Sequence, residues 1–262
     1  MKNFADKVVI ITGAADGLGR AVSVSLAEAG CSVVLVDVDR DRLAETENLV
    51  AKAGSRGLSV VANVADAKAV RDYVSRAVEE FDRIDGFFNN AGILGPEAPL
   101  TEYPDDQFDR VIAVNLKGVF LGMKHVLPVM MKQGSGSIVN TASMAAAGGI
   151  PLLTPYTAAK HGVIGLTRIA ALEAARTGVR VNAVLPGNIK TKMMLEGLSD
   201  AEIEQRNALA ASLVPQGRMG MPQDIADAVM FLLSDQSRHI TGVQLPVDGG
   251  ITAQVYPSYN AE

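Results

Sequence analysis

Tyr156 and Lys160 stand four residues apart, Ser143 lies thirteen residues upstream and Asn115 further back. Positions i and i+4 share one face of a helix. A phenol and an ammonium held side by side can move a proton. The cation stabilises the phenolate, so the tyrosine pKa is expected to fall from about 10 toward a usable value. On a solvated helix such a pair would mean little. Here it follows a glycine-rich turn of the kind that holds phosphates.

That turn is near the start of the chain. Lys7-Val8-Val9-Ile10-Ile11-Thr12 is almost wholly apolar and β-branched, as a buried parallel strand is. It runs into Gly13-Ala14-Ala15-Asp16-Gly17-Leu18-Gly19, and Ala21 to Ala29 then reads as a helix stopped by Gly30. Strand, glycine turn and helix is the context of a dinucleotide site, in which glycines let the backbone approach a pyrophosphate at a helix N-terminus. The spacing is G-x-x-x-G-x-G, not the common G-x-G-x-x-G. The next apolar run, Ser32 to Val36, ends at Asp37. A carboxylate there can accept hydrogen bonds from ribose hydroxyls and would repel a 2′-phosphate. At about 4 Å and an effective dielectric of ~20, each pair of like charges costs about 4 kcal/mol. Asp39 and Asp41 interleave with Arg40 and Arg42, so NAD is expected over NADP.

The rest of the chain alternates in the same way. Strands are expected at 58–62, 84–88, 137–141, 179–184 and 242–247. Helices are expected at 39–53, 66–81, 105–132 (interrupted or bent near Pro128), 155–177 and 222–233. Residues 186–214 read as a loop with helical stretches. Such alternation implies βαβ crossovers, and so an α/β, doubly wound Rossmann fold with a seven-stranded parallel sheet flanked by helices. No repeat or linker divides the chain, so residues 1–262 are expected to form one NAD-binding catalytic domain. Its substrate loop would lie at about 188–215 and its C-terminal tail at 251–262. In open α/β sheets ligands bind beyond the carboxyl ends of the strands. Asn89-Asn90-Ala91-Gly92, Ser143 and Pro186-Gly187 all fall at such ends.

Composition narrows the classes. The 262 residues are 48% hydrophobic with net charge −5, and no basic run invites nucleic acid. One cysteine, Cys31, precludes an intrachain disulfide and fits a reducing compartment. Three dispersed histidines, His125, His161 and His239, argue against a metal site. No apolar run is expected to reach the roughly eighteen residues that span a bilayer, and residues 1–6 show no signal-peptide core. The expectation is a cytoplasmic protein without membrane partners.

Taken together, Thr12-Gly13-x-x-x-Gly17-x-Gly19, Asn89-Asn90-Ala91-Gly92, Asn115, Ser143, Tyr156-x-x-x-Lys160 and Pro186-Gly187 resemble the classical short-chain dehydrogenase/reductases. The resemblance extends from Lys7 to Gly250. It implies that Tyr156 is the general acid/base, that Ser143 holds the substrate oxygen, that Lys160 tunes the tyrosine and binds the nicotinamide ribose, and that Asn115 holds a proton-relaying water. It also implies cofactor contacts from Gly13, Asp16, Gly17, Leu18, Gly19, Asp37, Asn63, Val64, Asn90, Ala91, Gly92, Tyr156, Lys160, Pro186, Gly187, Ile189 and Thr191. Asn63 departs from the family's usual Asp, yet its carbonyl can still accept a bond from the adenine amino group.

Ile93, Leu94, Ala145, Met193 and Met194, beside Ser143, would wall an apolar or cyclic secondary alcohol or ketone. Residues 83–90 and 158–163 are locally similar to bacterial reductases of cyclic ketones such as levodione. Two alternatives accompany this reading: a 3-oxoacyl-carrier-protein reductase, which Asp37 opposes because those enzymes generally prefer NADPH, and a non-catalytic NAD-binding regulatory relative. The expected helix from Tyr156 to Arg176 is apolar on more than one stripe, with Val163, Ile164, Leu166, Ile169 and Leu172. This, with the family, implies a homo-oligomer, a tetramer favoured.

Overall fold

Alternate residues of β1 (Val8–Thr12) serve two different cores. Val8 and Ile10 pack on one face of the sheet, Val9 and Ile11 on the other. The same division recurs in β2 (Ser32–Asp37), where Val34 and Val36 face one way and Val33 and Leu35 the other. Side chains alternate across a strand with period two, so a strand apolar throughout needs cover on both faces. Each such Val or Ile removed from water contributes roughly 1.5–3 kcal/mol.

The computed structural model describes residues 4–191 and 199–254. The remaining strands are β3 (Gly57–Val61), β4 (Gly86–Asn89), β5 (Gly136–Thr141), β6 (Val179–Pro186) and β7 (Gln244–Val247). They form one parallel sheet in the order β3-β2-β1-β4-β5-β6-β7. The expected doubly wound Rossmann architecture is what the chain adopts. Order reverses between β1 and β4, which places the switch point, and its crevice, beside the glycine turn.

One face is covered by α3 (Ala67–Phe81), α5 (Gly118–Gln133) and α6 (Thr154–Ala174), through Tyr73, Val126, Met130 and Val163. The other is covered by α1 (Gly17–Glu28), α2 (Arg40–Lys52) and α8 (Pro222–Leu233), through Leu26, Leu43 and Ile225. Short polar side chains start several helices: Asp16 accepts from Gly17 N, Asp39 from Arg42 N and Asp66 from Lys68 N. α4 (Asp105–Ile112) leads into α5, and α7 (Asp200–Ser212) precedes α8.

Two expectations need correction. The long helix 105–133 is not broken at Pro128, which lies inside α5. The irregularity is a π-turn at Ala113–Lys117, where the Gly118 N–H reaches back to Ala113 O. Asn115 sits in it, and π-turns often occur at functional sites. Second, among the described residues this same helix, Asp105–Gln133, is long and apolar enough to cross a membrane, against the expectation that no such run exists. Val119, Leu121, Met123, Val126 and Met130 spend its apolar character in the core.

Candidate active site

The turn after β1 and the loop after β4 are pinned to each other. Thr12 Oγ1 accepts from Asn90 N (2.9 Å) and Ala91 N (3.0 Å), and Asn90 Nδ2 donates to Thr12 O (3.0 Å). Thr141 Oγ1, at the end of β5, donates to Asn90 Oδ1 (3.0 Å). These bonds fix the floor of a cavity of about 680 Å³ at the carboxyl end of the sheet. Glycine is required in this floor. Gly13 has φ +68°, and a Cβ there would come within 2.9 Å of Asn90 Nδ2 and 3.0 Å of Ala91 Cα. Gly19 does a different task from its neighbours. It is buried, and its Cα hydrogens let the start of α1 lie directly on the Gly13 backbone.

Asp37 faces the cavity at the end of β2. Its carboxylate accepts from Ala15 N (3.0 Å), Val38 N (2.7 Å) and Asp39 N (3.1 Å). The carboxylate is therefore held rigidly by the glycine turn and by its own strand end. Arg42 also lines this part of the cavity, 3.6 Å from carboxylate oxygens of both Asp16 and Asp39. Asp39 and Arg42, weighed from the sequence only as charges near the cofactor, both line the cavity from the N-cap and first turn of α2.

At the other end Ser143, Tyr156 and Lys160 line the same cavity. Ser143 ends the loop after β5 and accepts from Ala145 N (3.1 Å). Tyr156 and Lys160 sit one turn apart at the start of α6, with Lys160 Nζ 5.5 Å from the centre of the Tyr156 ring. Lys160 is buried, and its ammonium donates to Thr141 O (2.7 Å). Burial lowers its pKa to about 8. Burial also raises the Tyr156 phenol, and the hydrogen bond with Ser143 offsets only part of that rise. The expected downward shift of Tyr156 is thus reversed in the protein alone. Desolvation outweighs a cation that is turned toward a carbonyl.

Asn115 is fully buried and does not line the cavity. Its Nδ2 donates to Ile93 O (2.7 Å) and its Oδ1 accepts from Ile93 N (2.8 Å), which clamps the loop after β4. It lies close to Lys160 nevertheless: a Cβ on Gly92 would be 3.1 Å from Asn115 Oδ1 and 3.7 Å from Lys160 Nζ.

Of the expected cofactor contacts, Gly13, Asp16, Gly17, Leu18, Asp37, Asn90, Ala91, Gly92, Pro186, Gly187, Ile189 and Thr191 border the cavity. Gly19, Asn63 and Val64 do not border it. Asn63 Oδ1 accepts from Ala65 N, and Val64 is packed beside Gly118. Of the expected substrate wall, Leu94 lines the cavity, whereas Ala145 is fully buried with its N–H on Ser143, and Ile93 is the clamped residue behind Leu94. Met193 and Met194 lie outside the described residues, as does the tail beyond Gln254. Ala15, Thr141, Ala142 and Ile203 complete the lining. A run of Thr141-Ala142 ahead of Ser143 was the available signal for two of them.

Among the described residues no group of three or more His, Cys, Asp or Glu side chains could hold a metal.

The chain matches, over residues 13–252, the model of a family described as enoyl-(acyl carrier protein) reductase. It is 43% identical to levodione reductase of Leifsonia aquatica over 95% of this chain and 96% of that one. A crystal structure of levodione reductase superimposes with a TM-score of 0.92, covering 97% of this chain and 100% of the other. Cyclohexanol dehydrogenase of Acinetobacter sp. (strain SE19) is 40% identical over 96% of this chain and 97% of its own. Carveol dehydrogenase from Mycobacterium avium, crystallised in complex with NAD, is 34% identical with a TM-score of 0.91, covering 97% and 100% of the two chains.

Proposed function

The chain belongs to the short-chain dehydrogenase/reductase family, and from that membership we propose that it interconverts a secondary alcohol and a ketone, apolar or cyclic, with NAD as cofactor. The observation that carries this reading is the meeting of Ser143, Tyr156 and Lys160 in the cavity that also holds the glycine turn and Asp37.

The residues present suit a dinucleotide. A Cβ on Gly13 would fill the floor, Gly17 has φ +51° beside the N-terminus of α1, and the backbone-held Asp37 carboxylate on the cavity wall would accept hydrogen bonds from ribose hydroxyls. Asp37 supports NAD over NADP through the charge argument above. Arg42 does not cancel it, since its guanidinium lies between Asp16 and Asp39. When bound, NAD supplies the hydride acceptor in oxidation and, reduced, the donor in ketone reduction.

The chain's own residues handle the proton and the position. Ser143 Oγ hydrogen-bonds the substrate oxygen and fixes it against the tyrosine. In reduction Tyr156 Oη donates a proton to that oxygen, and in oxidation its phenolate takes one. The phenol's raised pKa favours the protonated, donating form in the protein alone. A buried ammonium with a pKa of about 8 remains charged at neutral pH and stabilises the phenolate once the proton has left. Asn115 fixes the Ile93 loop close to Lys160, and the water relay that the family implies for it is part of this proposal. Leu94 and Ile203 supply apolar walls, which supports a substrate with little charge. The relatives acting on levodione and cyclohexanol support a ring.

A second copy of the chain fits the exposed face of α6, where Ile169 is 50% and Leu172 75% exposed. We infer a homo-oligomer from it, with the tetramer favoured. An analytical ultracentrifuge run showing only monomer at micromolar concentration would count against it.

The acyl-carrier reductase reading has the description of the matched family in its favour. Both readings meet the same test: NADH or NADPH formation across cyclic and linear secondary alcohols, with 3-oxoacyl thioester reduction alongside. Turnover of ring alcohols with NAD supports the proposal. Preference for NADPH and the thioester would replace it, and NAD binding without turnover on any substrate would favour the regulatory relative.

A further inference from the structure

Arg20 is the first residue after the glycine turn, and it does not line the cavity. Its side chain leaves α1 and joins two other segments. Nη2 donates to Ala15 O (2.5 Å) in the turn, and to Arg42 O (3.2 Å) and Glu45 Oε2 (2.8 Å) in α2. Nε donates to Thr46 Oγ1 (3.0 Å). Thr46 is fully buried, and its hydroxyl donates on to Arg42 O (3.3 Å).

Two of these acceptors lead to groups on the cavity wall. Ala15 braces Asp37: its N–H donates to Asp37 Oδ2 while its carbonyl is held by Arg20. Arg42, whose carbonyl Arg20 and Thr46 both hold, presents a guanidinium to the same wall, 3.6 Å from carboxylate oxygens of Asp16 and Asp39. A guanidinium is a natural partner of a phosphate, and a carboxylate is its opponent. With the first turn of α2 fixed, two carboxylates engage Arg42, and Asp37 stays braced. With that turn loosened, Arg42 can swing to a 2′-phosphate and Asp37 is less firmly aimed at the ribose. The Arg20–Glu45 pair is exposed on the Glu45 side (63%) and worth little by itself. The planar fork on two carbonyls and a buried hydroxyl is what holds the segments together.

We propose that Arg20 is a positioning residue for the adenosine end of the cofactor. It staples the glycine turn to the first turn of α2 and thereby sets the preference for NAD over NADP. The inference rests on the NAD-dependent reading above.

The test uses two variants. R20M removes fork and charge. R20K keeps the charge but, as a single point donor, cannot span Ala15 O, Arg42 O and Thr46 Oγ1 together. Kd is measured for NADH and NADPH by fluorescence, and for AMP and adenosine 2′,5′-bisphosphate by calorimetry. KM and kcat are measured for a cyclic ketone. R20M should raise Kd for NADH and AMP about five- to tenfold. Kd for the two 2′-phosphorylated ligands should rise less, so the NADPH-to-NADH ratio of Kd falls at least about threefold. R20K should move both quantities the same way by a smaller factor, and it carries the test if R20M does not fold. The ketone KM and kcat at saturating NADH should stay within about twofold, because Ser143, Tyr156 and Lys160 lie at the other end of the cavity. Unchanged affinity for NADH and AMP in both variants would overturn the staple. So would equal losses for NADH and NADPH, or an equal fall in kcat, either of which would make Arg20 a general prop of the fold. A wild-type protein that binds NADH but reduces no ketone would sink the dehydrogenase reading alone, since the affinities would still decide the role of Arg20. One that binds none of these nucleotides would overturn both.

Discussion

The two ends of the sheet carry cavities of similar size and opposite character. At the amino end, a cavity of about 590 Å³ is bordered by Lys7, Asp85, Arg180, Arg238 and His239. Its inner charges are absorbed by the protein itself. Asp85 accepts from Val8 N, from Arg83 at two nitrogens (2.8 and 2.6 Å) and from Lys7. Arg180 donates to Leu232 O (2.8 Å), Ser237 Oγ (2.8 Å) and Ser234 O (3.0 Å), closing the C-terminal end of α8. At the carboxyl end, Lys160 is more deeply buried but donates to a single carbonyl, Thr141 O, and the Tyr156 phenol is held up by burial. Volume and charge therefore do not distinguish a working site from a structural one. What distinguishes them is whether the polar groups are already satisfied.

The contrast can be broken most severely at Tyr156. Tyr156→Phe should lower turnover by about a thousandfold while NADH binding, followed by fluorescence, stays within about twofold. Undiminished turnover would remove Tyr156 from the chemistry. Next come two equivalent changes at opposite ends. Arg180→Met deletes the donor to three carbonyls and a hydroxyl and should cost about 3 kcal/mol in urea unfolding, with kcat of the remaining folded enzyme unchanged. Lys160→Met removes an ammonium that burial disfavours. It should stabilise the fold by roughly 2 kcal/mol and abolish turnover. Equal signs for the two stability changes would erase the distinction between the ends.

The smallest effect concerns acid. Burial would raise the Asp85 carboxyl, but Arg83, the Val8 N–H and Lys7 together outweigh it and hold the pKa below the usual carboxylate value. Its folded pKa lies below its unfolded one, so its contribution is complete above about pH 4 and is lost as pH falls through the folded value. Asp85→Asn should cost about 1 kcal/mol at pH 7 and make unfolding free energy less steep below pH 4. An unchanged acid limb would show that the amino-end cluster is not linked to folding.

Much of this was readable from residue order. A β-branched run before Gly13 can hardly be anything but a buried strand, and parallel order follows from the alternation of elements. Asp37, Ser143, Tyr156 and Lys160 reach the cavity because they fall at strand ends or one helical turn beyond. What spacing could not settle was which way a side chain turns. Ala145 lies two residues from Ser143 but is bent into the core by its own N–H bond to that hydroxyl. Arg42 and Ile203 enter the site from helices whose packing depends on distant contacts. The tyrosine pKa went the other way because burial is a property of the whole fold and not of an i, i+4 pair.

The π-turn at Ala113–Lys117 has a consequence for how this chain tolerates changes of length. A regular α-helix advances about 100° per residue. A helix with one wide turn holds one residue more than its hydrogen-bonded length requires. Losing any residue of that turn would let backbone pairing heal into an unbroken helix, so neither folding propensity nor composition would register the deletion. The segments on either side would nonetheless be rotated by about 100° against each other. The Asn115 clamp on Ile93 and the core face of α5 could not both be kept. In this helix the count of residues is itself a conserved quantity of the geometry, and an insertion or deletion there is a change of aim, not of length.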